Sequence, residues 1–288
     1  MTLSTRRARR PGPSVRVRVK EYAEGRSRRR EDRLATEEPL EVRLAWPGHP
    51  AERVAVTMRT PGHDFELAVG LLHAEGVVVP SALDTVAYCT DVQLAPEQEF
   101  NVVTVTLDAP PPRLPGGRGA TVTAAASACG VCGADSIDEV VALGSVVTPA
   151  GEAAPLPPEL LTALPARMRE AQRVFDSTGG LHAAALFDGS GELLLLREDV
   201  GRHNAVDKVV GARVLAGKPP AVPLMCVSGR IGFEIVQKAV AAGVGVVAAI
   251  GAPSSLAVQL AEGAGLGVVG FLSAKRFVVY AGGDRIAG

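Results

Sequence analysis

Cys129-Gly130-Val131-Cys132-Gly133 is the segment of this 288-residue chain whose residue types and spacing speak most directly of chemistry. A thiolate, not a thiol, is the nucleophile, and paired cysteines near cations have a lowered pKa. The pair follows a run of small residues, 121–128, so it reads as an exposed, pliable loop. Four chemistries fit two such thiols: relay of a sulfur atom as a persulfide, thiol–disulfide exchange, half of a zinc site, or no reaction at all. Zinc needs four ligands. There is no second C-x-x-C and no H-x3-5-H, and His182 would leave the set incomplete. A thioredoxin-type pair opens a helix directly after a strand, whereas here glycine follows each cysteine and no strand is expected before the pair. The pattern alone leaves these alternatives open, with sulfur or redox chemistry in front.

A nucleobase deaminase would show H-x-E followed by P-C-x-x-C. Here His182-Ala183-Ala184 has alanine where the proton-shuttling glutamate belongs, and the C-x-x-C comes before the histidine, after Ser127-Ala128. Deaminase catalysis is therefore not expected, even on a related fold. Cys89 and Cys226 sit in apolar, strand-like runs and read as buried core thiols.

A second dense region is Arg197-Glu198-Asp199-Val200-Gly201-Arg202-His203-Asn204-Ala205-Val206-Asp207-Lys208. His203 and Asp207 are four apart and share one helix face. They are either a polar site wall or part of a solvated helix start capped by Asp199 or Asn204. Ser228-Gly229-Arg230 precedes a predicted helix, whose free N–H groups together with Arg230 suit a phosphate. Lys275 and Arg276 follow the last predicted strand and would pair with a diphosphate, unless they are ordinary surface charge. His182, after the turn Gly179-Gly180, is either a core histidine or a site residue.

The elements that would position these residues follow from hydrophobic period and turn chemistry. Residues 37–58 alternate (Leu40, Val42, Leu44; Val54, Val56, Met58) as a strand pair. Thr60-Pro61-Gly62-His63-Asp64 opens a helix that Gly76 ends, and residues 86–93 and 100–107 read as two further strands. Residues 109–119 are a linker by composition. Pro157-Pro158 starts a helix running to about Val174. Strands then fall near 182–187, 192–197, 222–227, 244–250 and 267–272, and helices near 203–215, 231–242 and 254–262. The echo of Gly243-Val244-Gly245-Val246-Val247 in Gly265-Leu266-Gly267-Val268-Val269 marks successive helix–strand units, and the continuous apolar strands imply a parallel sheet covered on both faces. Ligands collect at the carboxyl ends of such strands. Three loops occupy that edge: Ser228-Gly229-Arg230, Gly251-Ala252-Pro253-Ser254 and Ser273-Ala274-Lys275-Arg276.

Composition bounds the rest. Hydrophobic residues make up 47% and aromatics only 4%, with 32 Gly and 21 Pro, which favours an α/β core over an aromatic-rich sandwich. The net charge of −1 hides an asymmetry, because residues 1–33 hold 12 of the 30 Lys and Arg and 4 of the 31 Asp and Glu. Such a basic arm suits an acidic partner or nucleic acid, and equally a solvated, disordered leader; disorder is the expectation. No apolar core follows the early arginines as a secretory signal would require. The longest apolar stretch, 236–252, is broken by Lys238, Gly243, Gly245 and Gly251 and falls short of the roughly 20 residues that span a bilayer. A soluble, cytoplasmic chain is expected, divided into a disordered arm (1–33), a β-rich portion with one helix (34–108), a linker with the cysteine loop (109–135) and an α/β core (136–288).

Taken together, the segments Arg59–Gly70 leading to Glu75-Gly76, Cys129–Gly133, Thr178–Phe187, Arg197–Gly211, Ser228–Lys238, Ala252–Val258 and Gly270-Phe271-Leu272 with Tyr280 resemble the formate dehydrogenase accessory sulfurtransferase family, FdhD. The resemblance covers residues 37–288. It implies a cytidine-deaminase-like, three-layer α/β fold with a smaller N-terminal β-rich portion, as a homodimer. It implies a sulfur carrier that takes sulfur as a persulfide from a cysteine desulfurase. The sulfur would pass to the bis-molybdopterin guanine dinucleotide form of the molybdenum cofactor before insertion into formate dehydrogenase. The family's persulfide position matches Cys129, with Cys132 assisting. Its cofactor-binding stretch matches Phe271, Leu272, Ser273, Ala274, Lys275 and Arg276. No metal ligands, nucleic acid or membrane enter this picture. The alternative within the same resemblance is a non-catalytic chaperone that binds the cofactor while the cysteines only clamp or sense redox state.

Overall fold

The computed structural model describes residues 10–89, 99–114 and 155–288. Its described strands form three sheets.

The first corrects an expectation. Within the arm predicted to be disordered, β1 (Ser14–Ala23) and β2 (Arg26–Ala35) form an antiparallel hairpin, in register from Ser14↔Ala35 to Ala23↔Arg26. Composition hid two local signals. Glu24 and Gly25 both take positive φ, 52° and 74°, the geometry that a two-residue hairpin turn requires. The arginines also meet acids across the ribbon: Arg28 and Arg30 both bond Glu21, and Arg16 pairs with Glu31 at 3.2 Å.

The second sheet runs in the order β4 (His49–Arg59), β3 (Glu38–Trp46), β6 (Val102–Leu107), β5 (Leu83–Tyr88). The predicted strand pair over 37–58 is β3 with β4. The next expected strand, 86–93, begins earlier and its last four residues lie outside the described residues. Leu40, Val42 and Leu44 point alternately inward with Val103, Val105 and Leu107, and bury Leu67, Ala68 and Leu72 of helix α1 (Asp64–Ala74). Arg59 at the end of β4 is fully buried. Its Nε donates to Asp64 Oδ1 at 3.0 Å and its Nη2 to Asn101 Oδ1 at 2.9 Å, while Tyr88 donates to Asp64 Oδ2 at 2.7 Å. The Arg59–Asp64 segment is therefore a closed polar corner that aims α1.

The third sheet, in the order β12 (Val278–Ala281), β11 (Gly267–Gly270), β10 (Val246–Ala249), β9 (Leu224–Val227), β7 (His182–Phe187), β8 (Leu193–Asp199), is the core. Period-2 side chains serve two layers. Ala183, Ala185, Phe187, Leu224 and Cys226 face Leu161, Leu164 and Met168 of α2 (Pro158–Ala171). Ala184, Leu186, Met225 and Val227 face α4 (Arg202–Leu215), α5 (Phe233–Ala241) and α6 (Ser255–Ala264). This is the three-layer α/β arrangement expected, with two corrections. The sheet is mixed, not wholly parallel: β9, β10 and β11 are parallel, but β7, β8 and β12 run antiparallel to their neighbours. The connection from β7 to β8 is a tight turn whose Asp188 Oδ1 accepts from Ser190 N and Glu192 N, both at 2.9 Å, and so short a link allows only antiparallel pairing. The helix from Pro158 also ends early, at Ala171. The Glu198 carboxylate of β8 accepts from Val174 N at 2.9 Å and Phe175 N at 2.7 Å, which starts a separate short helix, α3 (Arg173–Thr178).

The halves meet where α1 crosses α4. A Cβ placed on Gly70 would lie 1.9 Å from Asp207 O, and one on Gly211 would lie 1.9 Å from Glu66 O, so the two backbones touch directly. Beside the crossing, Asp199 and Lys208, both buried, pair at 2.7 Å. Asp199 Oδ2 also accepts from Thr60 N at 3.1 Å, and Lys208 Nζ donates to Thr60 O at 2.9 Å.

Candidate functional site

The carboxyl ends of β9, β10 and β11 share one sheet edge with the start of β7 and the end of β8, because β7 runs the other way, with Ala184 level with Val227, and β8 runs back against it, with Asp199 level with His182. Five chain segments therefore converge there. Hydrogen bonds lock their loops side by side: Gly251 N donates to Gly229 O at 3.2 Å, and Phe271 N to Gly251 O at 3.0 Å. Gly251 is required for this approach, since a Cβ would lie 2.8 Å from Gly229 O.

At the β7 end, Ser228 Oγ accepts from Ala183 N at 2.9 Å and lies 3.4 Å from His182 Nδ1. A Cβ on Gly229 would meet Arg202 Cδ at 3.2 Å and His182 Nδ1 at 3.4 Å, so His182, Arg202 and Gly229 form one small cluster. His182 is half-buried, and burial first, then the Arg202 charge, lowers its pKa, with Asp199 opposing. Arg202 Nε is buried and has no hydrogen-bond partner among the described residues. A buried donor left unpaired costs about 1–3 kcal/mol, and the described residues supply no acceptor for this N–H.

Arg230 is exposed but stands three residues before α5, whose N-cap is Gly232. The predicted pairing of Arg230 with free helix N–H groups is thus looser than expected, as Ile231 N already donates to Ala252 O at 3.1 Å. Ser254 does cap α6, accepting from Ala257 N at 3.3 Å.

At the far end, residues 271–276 fold into a tight turn. Ser273 Oγ accepts from Arg276 N at 3.2 Å and donates to Arg276 O at 3.0 Å. Phe271 takes φ 50°, a left-handed backbone uncommon for a side chain of this size, and its ring stays 45% exposed with the Arg276 guanidinium 5.9 Å from its centroid. Ala274, Lys275 and Arg276 are exposed and Ser273 is half-buried. Leu272 is the exception: it is buried in the layer beneath α2, so it offers a ligand only backbone.

Of the other candidate residues, His203 Nδ1 lies 3.2 Å from Glu234 Oε2, and Asp207 takes Lys238 Nζ bidentately at 2.8 and 3.0 Å. They share a helix face as expected, but Asp207 is spent on an internal ion pair. Neither Asp199 nor Asn204 caps α4; both tie β4 to the core, Asn204 Nδ2 donating to Met58 O at 2.7 Å. Cys226 is fully buried, its thiol pushed up to about 12 by burial, and is inert at neutral pH. Cys89 is only half-buried, at the end of β5, and receives Arg43 Nη1 at 3.8 Å. Cys129 and Cys132 lie outside the described residues. Among the described residues no cluster of His, Cys, Asp and Glu is arranged to hold a metal ion, and no helix is long and apolar enough to cross a membrane.

Sequence reasoning included Arg202 in the dense polar run 197–208 but did not single it out. Its signal was its place between the strand-end Asp199 and His203; that its Nε has no partner among the described residues shows only in three dimensions.

His203 supplies a pH test. Burial first, then the charges of Arg202, Lys238 and His182, lower its pKa from 6.5 to about 4. The folded state therefore binds its proton less readily than the unfolded chain, and stability is intact above 6.5 and lost as pH falls from there toward 4. Burial raises Asp207, which acts in the opposite sense, so the informative quantity is a difference. Urea unfolding should show wild type losing stability relative to His203→Gln by up to about 1.4 kcal/mol per pH unit across that window. Parallel curves would exclude a buried neutral imidazole.

The FdhD/NarQ family model matches residues 35–287. The chain is 49% identical over 260 residues to the sulfur carrier protein FdhD of Streptomyces avermitilis, covering 90% of each chain. It is 45% identical over 298 aligned positions to that of Anaeromyxobacter dehalogenans, covering 99% and 98%. Its fold is similar, with a TM-score of 0.69 at 21% identity, to a crystal structure described as a formate dehydrogenase accessory protein from Desulfotalea psychrophila, covering 95% of this chain and 99% of that one.

Proposed function

The chain belongs to the FdhD/NarQ family, and from that premise we propose that it carries sulfur for the maturation of formate dehydrogenase. In this reading a cysteine desulfurase transfers sulfur to Cys129 as a persulfide. The protein, a cytoplasmic homodimer, then passes the sulfur to bis-molybdopterin guanine dinucleotide bearing molybdenum, bound as substrate. Cys132 keeps the loop poised or receives the sulfur in turn.

The observation that carries the reading is the strand-end edge. It sets Arg202, Arg230, Lys275 and Arg276 on three of the five converging segments and holds an exposed aromatic ring, Phe271, beside Arg276. Cations at strand ends suit diphosphate, and an exposed ring suits a flat heterocycle. A persulfide moves by thiolate attack on a sulfur–sulfur bond, a reaction governed by thiolate fraction and access. Cys226 meets neither condition.

The test is cyanide-labile sulfur on purified protein after incubation with a cysteine desulfurase and cysteine. Wild type and Cys226→Ala should gain the label and Cys129→Ala should fall to background. An undiminished label in Cys129→Ala would remove the carrier role from that residue.

A further inference from the structure

We propose that β1 of the arginine-rich ribbon is an open docking edge for an extended acidic segment of a partner protein. The segment adds to β1 as a third strand in which acidic and apolar residues alternate. All but the last residue of the ribbon precedes the family match, which begins at residue 35, and the inference stands independently of the sulfur-carrier reading.

Register shows which backbone groups are free. Ala23 and Arg26 flank the two-residue turn, and Thr36 N donates to Pro13 O at 3.0 Å. Both are hydrogen-bonded pairs, so every second pair between them is one too. Val15, Val17, Val19 and Glu21 therefore spend their backbone groups on β2, and those of Arg16, Arg18 and Lys20 turn outward. On β2 the outward groups are partly used: Arg33 N donates to Asp32 Oδ1 at 2.9 Å, and Glu31 O accepts from Arg30 Nη1 at 3.3 Å. β2 is also the strand that lies against α3, and a Cβ on Gly180 would sit 3.6 Å from Ala35 Cβ. On β1 the outward groups of Arg16, Arg18 and Lys20 have no backbone partner among the described residues. A two-stranded ribbon is marginal in water and gains from a third strand, and such an edge is where an extended peptide adds.

The two faces say what that strand carries. Directly opposed residues share a face. One face holds Arg16 opposite Arg33, Arg18 opposite Glu31 and Lys20 opposite Arg29, all six exposed. Like charges directly opposite destabilise a sheet, and this face carries two such pairs. On the other face Arg28 and Arg30 are neutralised by Glu21, and Arg30 by Asp32 as well. That face also holds Val17 and Val19, half-buried, with Val15 and Leu34 opposite each other and each 48% exposed. A strand along β1 with carboxylates on the first face sets them beside Arg16, Arg18 and Lys20 and offsets both repulsions. Its apolar residues then cover the valines. A nucleic acid would meet the cations but leave the edge and the valines bare. Cations also guard a free edge against self-pairing, and that guard admits only a strand of opposite charge.

The experiment uses the full chain and a dye-labelled peptide of ten residues, the length of β1, alternating glutamate and valine. Fluorescence anisotropy should show binding that weakens as salt is raised. Hydrogen exchange should show the amides of Arg16, Arg18 and Lys20 open in the free protein and protected in the complex. Arg18→Ala should weaken binding about 3-fold, the share of one cross-strand charge pair. Arg18→Pro removes the same charge and the outward N–H while sparing the bonds to β2, and should weaken binding by about 10-fold or more. Arg18→Glu with Lys20→Glu should abolish binding of this peptide and admit one alternating lysine and valine. Should a variant ribbon fail to form, the exchange result on wild type decides alone. No protection of those three amides, or equal losses in Arg18→Ala and Arg18→Pro, would overturn the proposal. So would equal binding of a peptide with the same glutamates and valines in separate blocks, which reduces the contact to charge. Tighter binding of a single-stranded oligonucleotide of equal charge without amide protection assigns the face to nucleic acid. Self-association that the peptide displaces assigns the edge to a second copy. Either result rejects the acidic partner segment.

Discussion

Gly70→Ala should destabilise the protein by about 3 kcal/mol, at the upper end of what overpacking costs. The added methyl would sit 1.9 Å from the carbonyl oxygen of Asp207 and 2.6 Å from its carbonyl carbon. Real contacts at such positions exceed 3 Å, so the α1–α4 crossing has to open by more than an ångström. Opening it strips the fit of Leu67, Ala68 and Leu72 on one side and Val206 and Val209 on the other. Gly211→Ala acts on the same crossing from the opposite helix, against Glu66 O. The double variant should therefore cost clearly less than the two single losses added, because the second methyl enters a gap the first has already forced. Thermal unfolding checks this, with a single-variant fall in midpoint of about 6–12 °C for a chain of this size. A loss under about 1 kcal/mol in both single variants would mean that the helices do not touch through their backbones.

The second large effect concerns the buried pair beneath the site. Lys208→Met should cost about 3–5 kcal/mol, because it leaves the Asp199 carboxylate buried without its cation. Asp199 is 0% exposed and, among the described residues, retains Thr60 N, Gly201 N and Asn204 Nδ2 as donors. Lys208 also supplies the Thr60 and Glu198 carbonyls, so its loss unties β4 and β8 together. Asp199→Asn with Lys208→Met should be milder than Lys208→Met alone, since a neutral amide needs no counter-charge. Chemical denaturation of the three variants at neutral pH measures the ordering; a single Lys208→Met loss no greater than that of the pair would place Asp199 in contact with solvent.

How far the sequence foretold this depends on how local the causes are. The alternation in 37–58, the helix opening at His63-Asp64 and the Ser254 cap are decided within a few residues, and each reads directly from its own segment. The pairing of Arg59 with Asp64 is close in sequence, but its function as a corner depends on Tyr88 and Asn101, which only the folded sheet brings near. Glu198 cuts a helix 24 residues upstream of itself, and no window around Gln172 contains that information. In the β1–β2 ribbon the local signals were present, in Val15, Val17, Val19 and the Glu24-Gly25 turn, yet an arginine-rich composition outweighed them. The candidate site divides the same way. The cation-bearing strand-end loops follow from strand order, and the C-x-x-C pair stands out by type alone. That Leu272 faces inward, that Asp207 is consumed by Lys238, and that Arg202 Nε has no partner among the described residues are three-dimensional facts with no sequence signature.

The strap that Thr60 makes to Asp199, Val200 and Lys208 bears on how the gene could be cut. A fragment beginning at residue 155 would keep every strand of the six-stranded sheet yet expose the glycine face of α4 and leave an anionic carboxylate and its ammonium partner short of their amide and carbonyl companions. Expressed by itself, such a piece would be soluble only as a loosened, aggregation-prone state. The proline- and glycine-rich stretch that looks like a seam in the primary structure joins two parts of one cooperative body.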